Sequence, residues 1–449
     1  MTALVDVNWL YQHMDDPTVK ILDASIPKAD SDETHLTHNN QIQGALFFDL
    51  KGAFSDKHNS LPSMMPSAEQ FARECGKLGL KNSDTIVIYD HHGVYSSPRV
   101  WWMFKSMGHK NVFVLNGGLP EWEHASFPTE EKKERLPTLT QYTATCVNHF
   151  FTVKDQILPL LNHNHSKLLD ARAKHRFLGI AKEPREGVKS GHIPRAINIP
   201  YTNVLDGFQL KSIKKLNDVF SFLKEKDTYI ITSCGSGISA CVLLLALNEI
   251  GFTRLSLYDG SWAEWGCDSN YPVETCKPFI KQLETQDLSA LVSIAKQTFY
   301  ETFASSNSKE DMHQYLNTAF HPEKLLSEML HPNTLFFGIF LNSELVGYLK
   351  LNEADAQTEQ CIENSMEIER IYILKEYIGY GFGKLLFNLA LEKGKQAYKS
   401  ALWLGVWEKN ERAIQFYQNL GFVAFNTHTF CVGSDVQTDL LMKLELQPL

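Results

Sequence analysis

The chain has 449 residues, 43% of them hydrophobic and 21% charged, with a formal net charge of −9. That length exceeds one core and points to roughly two to four domains. The acidic balance argues against a nucleic-acid surface, and no apolar run approaches the ~20 residues that cross a bilayer.

The N-terminal stretch "MTALVDVNWLYQHMDDPTVK" lacks the basic start and apolar core of a signal peptide. The eight cysteines, at 75, 146, 234, 241, 267, 276, 361 and 431, form no CxxC pair. Neither a zinc site nor a disulfide framework is indicated, no metal is expected, and a reducing cytoplasm fits.

Along the chain one pattern of elements occurs twice. The first copy reads "VKILDASI", "GALFFDL", "TIVIYDHHG" and "NVFVLNGGLPEWE"; the second reads "KLLDARAKHRF", "GHIPRAINIPY", "TYIITSCGSG" and "LSLYDGSWAEWG". Short β runs alternating with helical segments predict parallel sheets covered on both faces. The histidines at 35, 38, 163 and 165, and His91 with His92, lie in polar stretches that read as solvated loops.

The second copy carries a Gly/Ser bend, "ITSCGSGISACVLLLAL", between a strand and an apolar helix. Ligands collect at the carboxyl ends of parallel strands. Cys234 therefore sits where loop N–H groups and a helix N-terminus stabilise negative charge on sulfur. Gly235 and Gly237 let the backbone curl around it, and Ser236 and Ser239 stand beside it. Cys241, inside the apolar helix, reads as core.

After Thr275 the pattern changes. "TCKPFIKQLET" reads as a linker. "DLSALVSIAKQTFYETF" has helical periodicity. Asn-Ser in "TLFFGIFLNSELVGYLKLNEA" marks a hairpin turn. A strand, "MEIERIYIL", leads into the glycine turn "IGYGFGK" and a helix. A turn of exposed N–H groups that opens a helix can cradle a pyrophosphate.

The paired α/β units, with one Cys loop only in the second, resemble the tandem-rhodanese sulfurtransferases. The motifs "LLDARAKHRFLG", "SGHIPRAINIPY", "CGSGISA" and "YDGSWAEWG" carry the likeness. The uncharged loop looks most like the mercaptopyruvate branch and suits a weakly charged donor. The resemblance implies that Cys234 takes sulfur from 3-mercaptopyruvate or thiosulfate as a persulfide. It then passes the sulfur to a thiol or cyanide, or to a protein acceptor. It maps a carboxylate clamp onto Arg176 and Arg185, with Gly235, Ser236, Gly237 and Ser239 around the donor; Arg172 and Arg195 are left structural. The first half, with Asp90 at the Cys position, cannot carry a persulfide and is implied to be an inactive partner. Lys51 and Ser63 stand where some mercaptopyruvate enzymes have an Asp and a His, which leaves a proton relay there without its residues.

"EIERIYI", the glycine turn and "LWLGVWEKNERAIQFYQNLGF" together resemble the GNAT-family N-acetyltransferases, with Ile378 replacing the usual polar first residue of the phosphate loop. The resemblance implies acetyl-CoA as co-substrate. Ile371 to Ile373 would lie along its pantetheine arm, Gly379, Gly381, Gly383 and Lys384 at its pyrophosphate, and Asn410 at a further cofactor contact. It implies Tyr417 as general acid, Glu367 or Glu369 as base, and a small amine or polyamine as acceptor. The expected fold is therefore α/β: a rhodanese-like domain over 1–140, a second over 141–277 with the active loop, and a mixed α/β GNAT-type domain over 283–449.

Overall fold

The first half of the chain contributes strands β1 (Leu4–Val5), β2 (Val19–Asp23), β3 (Leu46–Phe47), β4 (Thr85–Tyr89) and β5 (Val112–Leu115), and the second half β6 (Phe151–Thr152), β7 (Ser166–Asp170), β8 (Ile197–Asn198), β9 (Tyr229–Ser233) and β10 (Leu255–Tyr258). In this computed structural model, which describes residues 2–28, 39–133, 135, 137–162, 165–304, 306–432 and 435–446, each set forms a parallel sheet. Their strand orders are β1-β5-β4-β2-β3 and β6-β10-β9-β7-β8. The order is the same in both, so the sequence repeat is a topological repeat. His35, His38 and His163 lie outside the described residues, and His165 is exposed as expected.

The two halves share a core. The helix after β4, α1 (Ser97–Ser106), packs on the helix after β9, α2 (Ala240–Glu249). Every residue of α2 from Ala240 to Leu247 is buried. A helix that is apolar on all sides must be enclosed, and Val100, Trp101 and Phe104 from α1 join Val242 and Leu245 in one continuous cluster.

His91 corrects the expectation of a solvated loop. It is buried, with its ring parallel to that of Tyr89 and Nε2 3.5 Å from Asp23 Oδ2. The β4 loop curls inward because Asp90 organises it. The Asp90 Oδ2 accepts the N–H groups of Tyr95, Ser96 and Ser97 at 2.9, 3.0 and 2.9 Å and the Ser97 hydroxyl at 2.7 Å. Its Oδ1 accepts the N–H of His92 at 2.9 Å.

The chain divides into two compact units, Met1–Thr275 and Cys276–Leu449. The second holds a seven-stranded sheet formed by β11 (Phe279–Gln282), β12 (Thr334–Leu341), β13 (Glu344–Glu353), β14 (Ser365–Ile373), β15 (Ala401–Trp407), β16 (Val423–Val432) and β17 (Asp435–Glu445), in the order β11-β12-β13-β14-β15-β17-β16. The stretch expected as a linker thus contains an edge strand. Phe279 stacks on Phe340, and Phe279 to Gln282 run antiparallel to β12. Asn342 and Ser343 form the expected hairpin turn, with φ of 50° and 65°, the left-handed pair of a type I′ turn. Among the described residues no helix is long and apolar enough to cross a membrane.

Replacing Asp90 with Ala leaves buried N–H groups without their acceptor. It should cost about 2–4 kcal/mol of stability, read as a lower urea midpoint for the change in tryptophan fluorescence.

Candidate functional site

In the first unit, β9 ends at Ser233 and the next residue is Cys234. Cys234 is buried, and its N–H donates to Ser261 Oγ at 3.1 Å. Its carbonyl accepts the N–H of Trp262 and that of Gly235 the N–H of Ala263, both at 3.0 Å. The N–H groups of Gly235 through Ser239 donate to no group among the described residues. In the first half the Asp90 carboxylate takes up the loop N–H groups of His92, Tyr95 and Ser96 and that of Ser97 at the start of α1. The second half leaves its loop N–H groups unfilled next to Cys234, and such groups can stabilise anionic sulfur.

Cys234, Gly235, Ser236 and Ser239 line a cleft of about 690 Å³ together with Arg176 and Arg185. The Arg176 guanidinium lies against Gly235: a Cβ at that position would come 3.2 Å from its Nη2. Glu183 holds Arg176 at 2.5 Å and Arg172 at 3.0 Å. Arg185 is exposed and donates to the Gly235 carbonyl at 3.4 Å. Arg172 is tied to Asp170 and the Gly191 carbonyl and lies over Trp262, while Arg195 donates to the Leu161 carbonyl and Asn162. Cys241 is enclosed, donates to the Gly237 carbonyl at 3.3 Å, and burial pushes its thiol far up.

Arg99 escaped the sequence reading. It sits on α1 in the first half, 0% exposed, and crosses to the second half. Its Nη1 lies 2.7 Å from Asp259 Oδ1, and its Nη2 donates to the Ser63 carbonyl at 2.7 Å. Asp259 Oδ2 accepts the N–H of Met65 at 2.8 Å. Gly237 packs onto this pair: with φ +76°, a Cβ there would lie 3.0 Å from the Asp259 carbonyl and 3.5 Å from Arg99 Nη1. Ser63 and Trp262, on the segments joined here, both line the Cys234 cleft.

In the second unit the sheet splits. β14 and β15 pair in parallel only from Ser365–Glu367 against Ala401–Trp403. Beyond that, Ile371 and Ile373 pair with β13 alone, and Leu404 to Trp407 with β17 alone. The gap lies at the carboxyl ends of two parallel strands, next to the turn that opens α3 (Phe382–Gln396). Gly379 and Gly381 have φ of +97° and +85°, and a Cβ on either would meet nothing within 4 Å. The turn is left-handed and its face is open. Lys384 is exposed on the first turn of α3. Gly383 lies beside Phe416, where a Cβ would make an ordinary contact at 3.4 Å. Asn410 caps α4 (Glu411–Asn419) by accepting the N–H of Ala413 at 3.2 Å. Tyr417, on α4, packs edge-on against Phe416 and Phe422, and burial raises its hydroxyl pKa.

Glu367 and Glu369 face one side and share the Asn352 amide, at 3.1 and 2.6 Å. Their surroundings separate them. Burial raises the pKa of Glu367, although Thr358 donates to it. For Glu369, burial is outweighed by Arg370 and by Lys350 at 2.5 Å, and its pKa falls. Among the described residues no cluster of three or more His, Cys, Asp or Glu is arranged to hold a metal.

A family model of the rhodanese-like domain matches residues 6–125 and 154–267, over half of the chain, and one of the acetyltransferase (GNAT) family matches residues 290–422. The 3-mercaptopyruvate sulfurtransferase of Escherichia coli K12 is 35% identical over 280 residues, 62% of this chain and 99% of its own. The crystal structure of SseA from Escherichia coli matches with a TM-score of 0.53 and 33% identity, covering 58% of this chain and 99% of SseA. The sulfur transferase subunit of yeast mitochondrial complex I matches with a TM-score of 0.54 and 30% identity, covering 61% and 100%.

Arg99→Met strands the Asp259 carboxylate in a buried position and should cost about 3–5 kcal/mol. Removing both charges, with Asp259→Leu added, should recover part of that loss. Denaturation midpoints of the two variants check the coupling.

Proposed function

Because the chain belongs to the rhodanese family of sulfurtransferases and carries a GNAT acetyltransferase domain, we propose that it is a bifunctional enzyme. The first unit moves sulfane sulfur from 3-mercaptopyruvate through Cys234, and the second moves an acetyl group from acetyl-CoA to a small, cationic amine. The observation that carries the first activity is that Cys234, in a loop whose N–H groups are unfilled, lines one cleft with Arg176 and Arg185.

Arg176 and Arg185 hold the donor's carboxylate, for which a planar guanidinium is well shaped. The Cys234 thiolate attacks the donor's sulfur, the S–S bond forms, and the C–S bond breaks. The electron pair leaves on pyruvate enolate, and the enolate carbon takes the proton released by the hydropersulfide. The N–H groups of Gly235 to Ser239 hold the resulting persulfide anion. A thiol or cyanide then removes the outer sulfur and restores Cys234, in a two-step exchange. A protein thiol is a second class of acceptor, which the likeness to a sulfur transferase subunit of a larger complex supports. The cysteines described are all free, which fits a reducing cytoplasm.

In the second unit, the open faces of Gly379 and Gly381 fit a diphosphate at the start of α3, and the gap between β14 and β15 fits an extended arm beside Ile371 and Ile373. When bound, acetyl-CoA supplies an activated thioester. Glu367 is the better proton acceptor for the ammonium, because burial raises its basicity while Lys350 and Arg370 occupy Glu369. Tyr417 donates the proton to the leaving sulfur. The acidic chain, at −9, favours a cationic amine over an anionic acceptor.

Incubation with mercaptopyruvate should add about 32 Da, one sulfur atom, to the wild-type chain. Cys234→Ser should abolish this gain and Cys241→Ser should keep it; intact-mass spectrometry checks both. Gly381→Glu should abolish acetyl-CoA binding in calorimetry. Tyr417→Phe should keep binding while kcat for amine acetylation falls about a hundredfold.

A further inference from the structure

The Cys234 cleft is more basic than its loop. The loop itself is uncharged, but Lys28 and Lys51 from the first half line the same cleft as Arg176 and Arg185. Glu183 already binds both Arg172 and Arg176. Arg185 and Lys51 form no ion pair with a carboxylate among the described residues.

Lys51 is held in place despite its exposure. Asp49 accepts the N–H groups of Gly52 at 3.0 Å and Ala53 at 2.9 Å, folding the chain into a tight turn with Lys51 on it. A Cβ at Gly52 would overlap Asp49 Oδ2 at 2.1 Å, so a larger residue there would push the Asp49 carboxylate from its place in the turn. Phe48 stacks on Phe54 at 3.7 Å and anchors both ends in the core. Partial burial and then the nearby Arg185 charge hold the Lys51 ammonium below the ordinary lysine range. Two like charges thus share one space, and one of them touches the residue next to the nucleophile. A ligand with a single carboxylate engages the arginines and leaves Lys51 without a partner.

We propose that Lys51 determines which charge class of sulfur donor the cleft accepts, pairing with the second negative charge of a dianionic donor of the thiosulfate type. The assignment rests on the sulfurtransferase reading of Cys234. In this step the Cys234 thiolate bonds to the outer sulfur of thiosulfate. The donor's S–S bond breaks and its electron pair leaves on sulfite, so three negative charges enter and three remain. Lys51 and Arg185 together offset the sulfonate charge as it grows on the departing sulfite. The inactive half therefore contributes to donor choice as well as forming a wall of the cleft.

The test compares kcat/KM for thiosulfate and for mercaptopyruvate in the wild type, Lys51→Met and Lys51→Asp, each as the full chain. The thiosulfate-to-mercaptopyruvate ratio should fall about tenfold in Lys51→Met and further in Lys51→Asp. Raising the salt concentration should weaken thiosulfate turnover more in the wild type than in Lys51→Met. A ratio that stays within about twofold of wild type in both variants, or donors that lose activity in parallel, overturns the assignment of Lys51. Sulfur loading of Cys234 by mercaptopyruvate in the same variants shows that such a failure belongs to Lys51 alone. A wild-type chain that takes no sulfur from either donor overturns the sulfurtransferase reading and this assignment with it.

Discussion

The Arg99–Asp259 contact joins the parts of the first unit that must stay in register for the Cys234 loop to act as the nucleophile loop we propose. Three segments meet at it: the stretch through Ser63 and Met65, the loop at Gly237, and the turn after β10. A fully buried guanidinium is expensive to desolvate. It is tolerated here because the Asp259 carboxylate and the Ser63 carbonyl both lie at 2.7 Å. Fixing three segments through one cation also fixes the width of the cleft between them. Preorganised donors stabilise developing charge only if they need not move to reach it.

This contact was not legible in the sequence, and the reason is physical. Arg99 lies in "SPRVWWMFK", where a single charge near a helix start resembles a solvated residue. Its partner lies 160 positions away, and no periodicity encodes a pairing at that range. What could be read was local. The doubled order of strands, the Gly/Ser bend after "YIITS" and the apolar run of α2 each follow from neighbours in the chain. The His91 imidazole was misread for the same reason that Arg99 was missed. Flanked by Asp90 and His92 it looks solvated, but Asp90 folds its loop inward and carries His91 with it.

In the second unit the element types were readable and their duties less so. The Asn-Ser turn specified its own backbone. Asn410 belongs to a motif that the resemblance links to the cofactor, and it also caps a helix. Short polar and small residues near helix starts serve backbone geometry as readily as ligands, and sequence does not separate the two uses. Strand β11 was hidden because "KPFIKQ" is short and mixed. It becomes a strand through pairing with the far longer β12, so its structure is tertiary in origin. Likewise the alternation that puts Glu367 and Glu369 on one face says nothing of their basicity. That difference comes from the Arg370 charge beside Glu369 and from Lys350, on a neighbouring strand.

The two halves of the first unit show how one loop geometry can serve stability or chemistry. After β4 the cradle of N–H groups binds a carboxylate from its own chain, and the site is satisfied. After β9 the same position holds Cys234, whose neutral thiol is a poor acceptor for several N–H groups. In the proposed reaction those N–H groups gain an acceptor when sulfur carries negative charge, as thiolate or persulfide. The stability that Asp90 gives to one half is absent from the other, and the proposed reaction would supply it with an anionic sulfur species. The internal anion also steadies the start of α1, the helix that carries Arg99. The half lacking one leaves its loop N–H groups unfilled, which is where the proposed reaction would place the donor's sulfur.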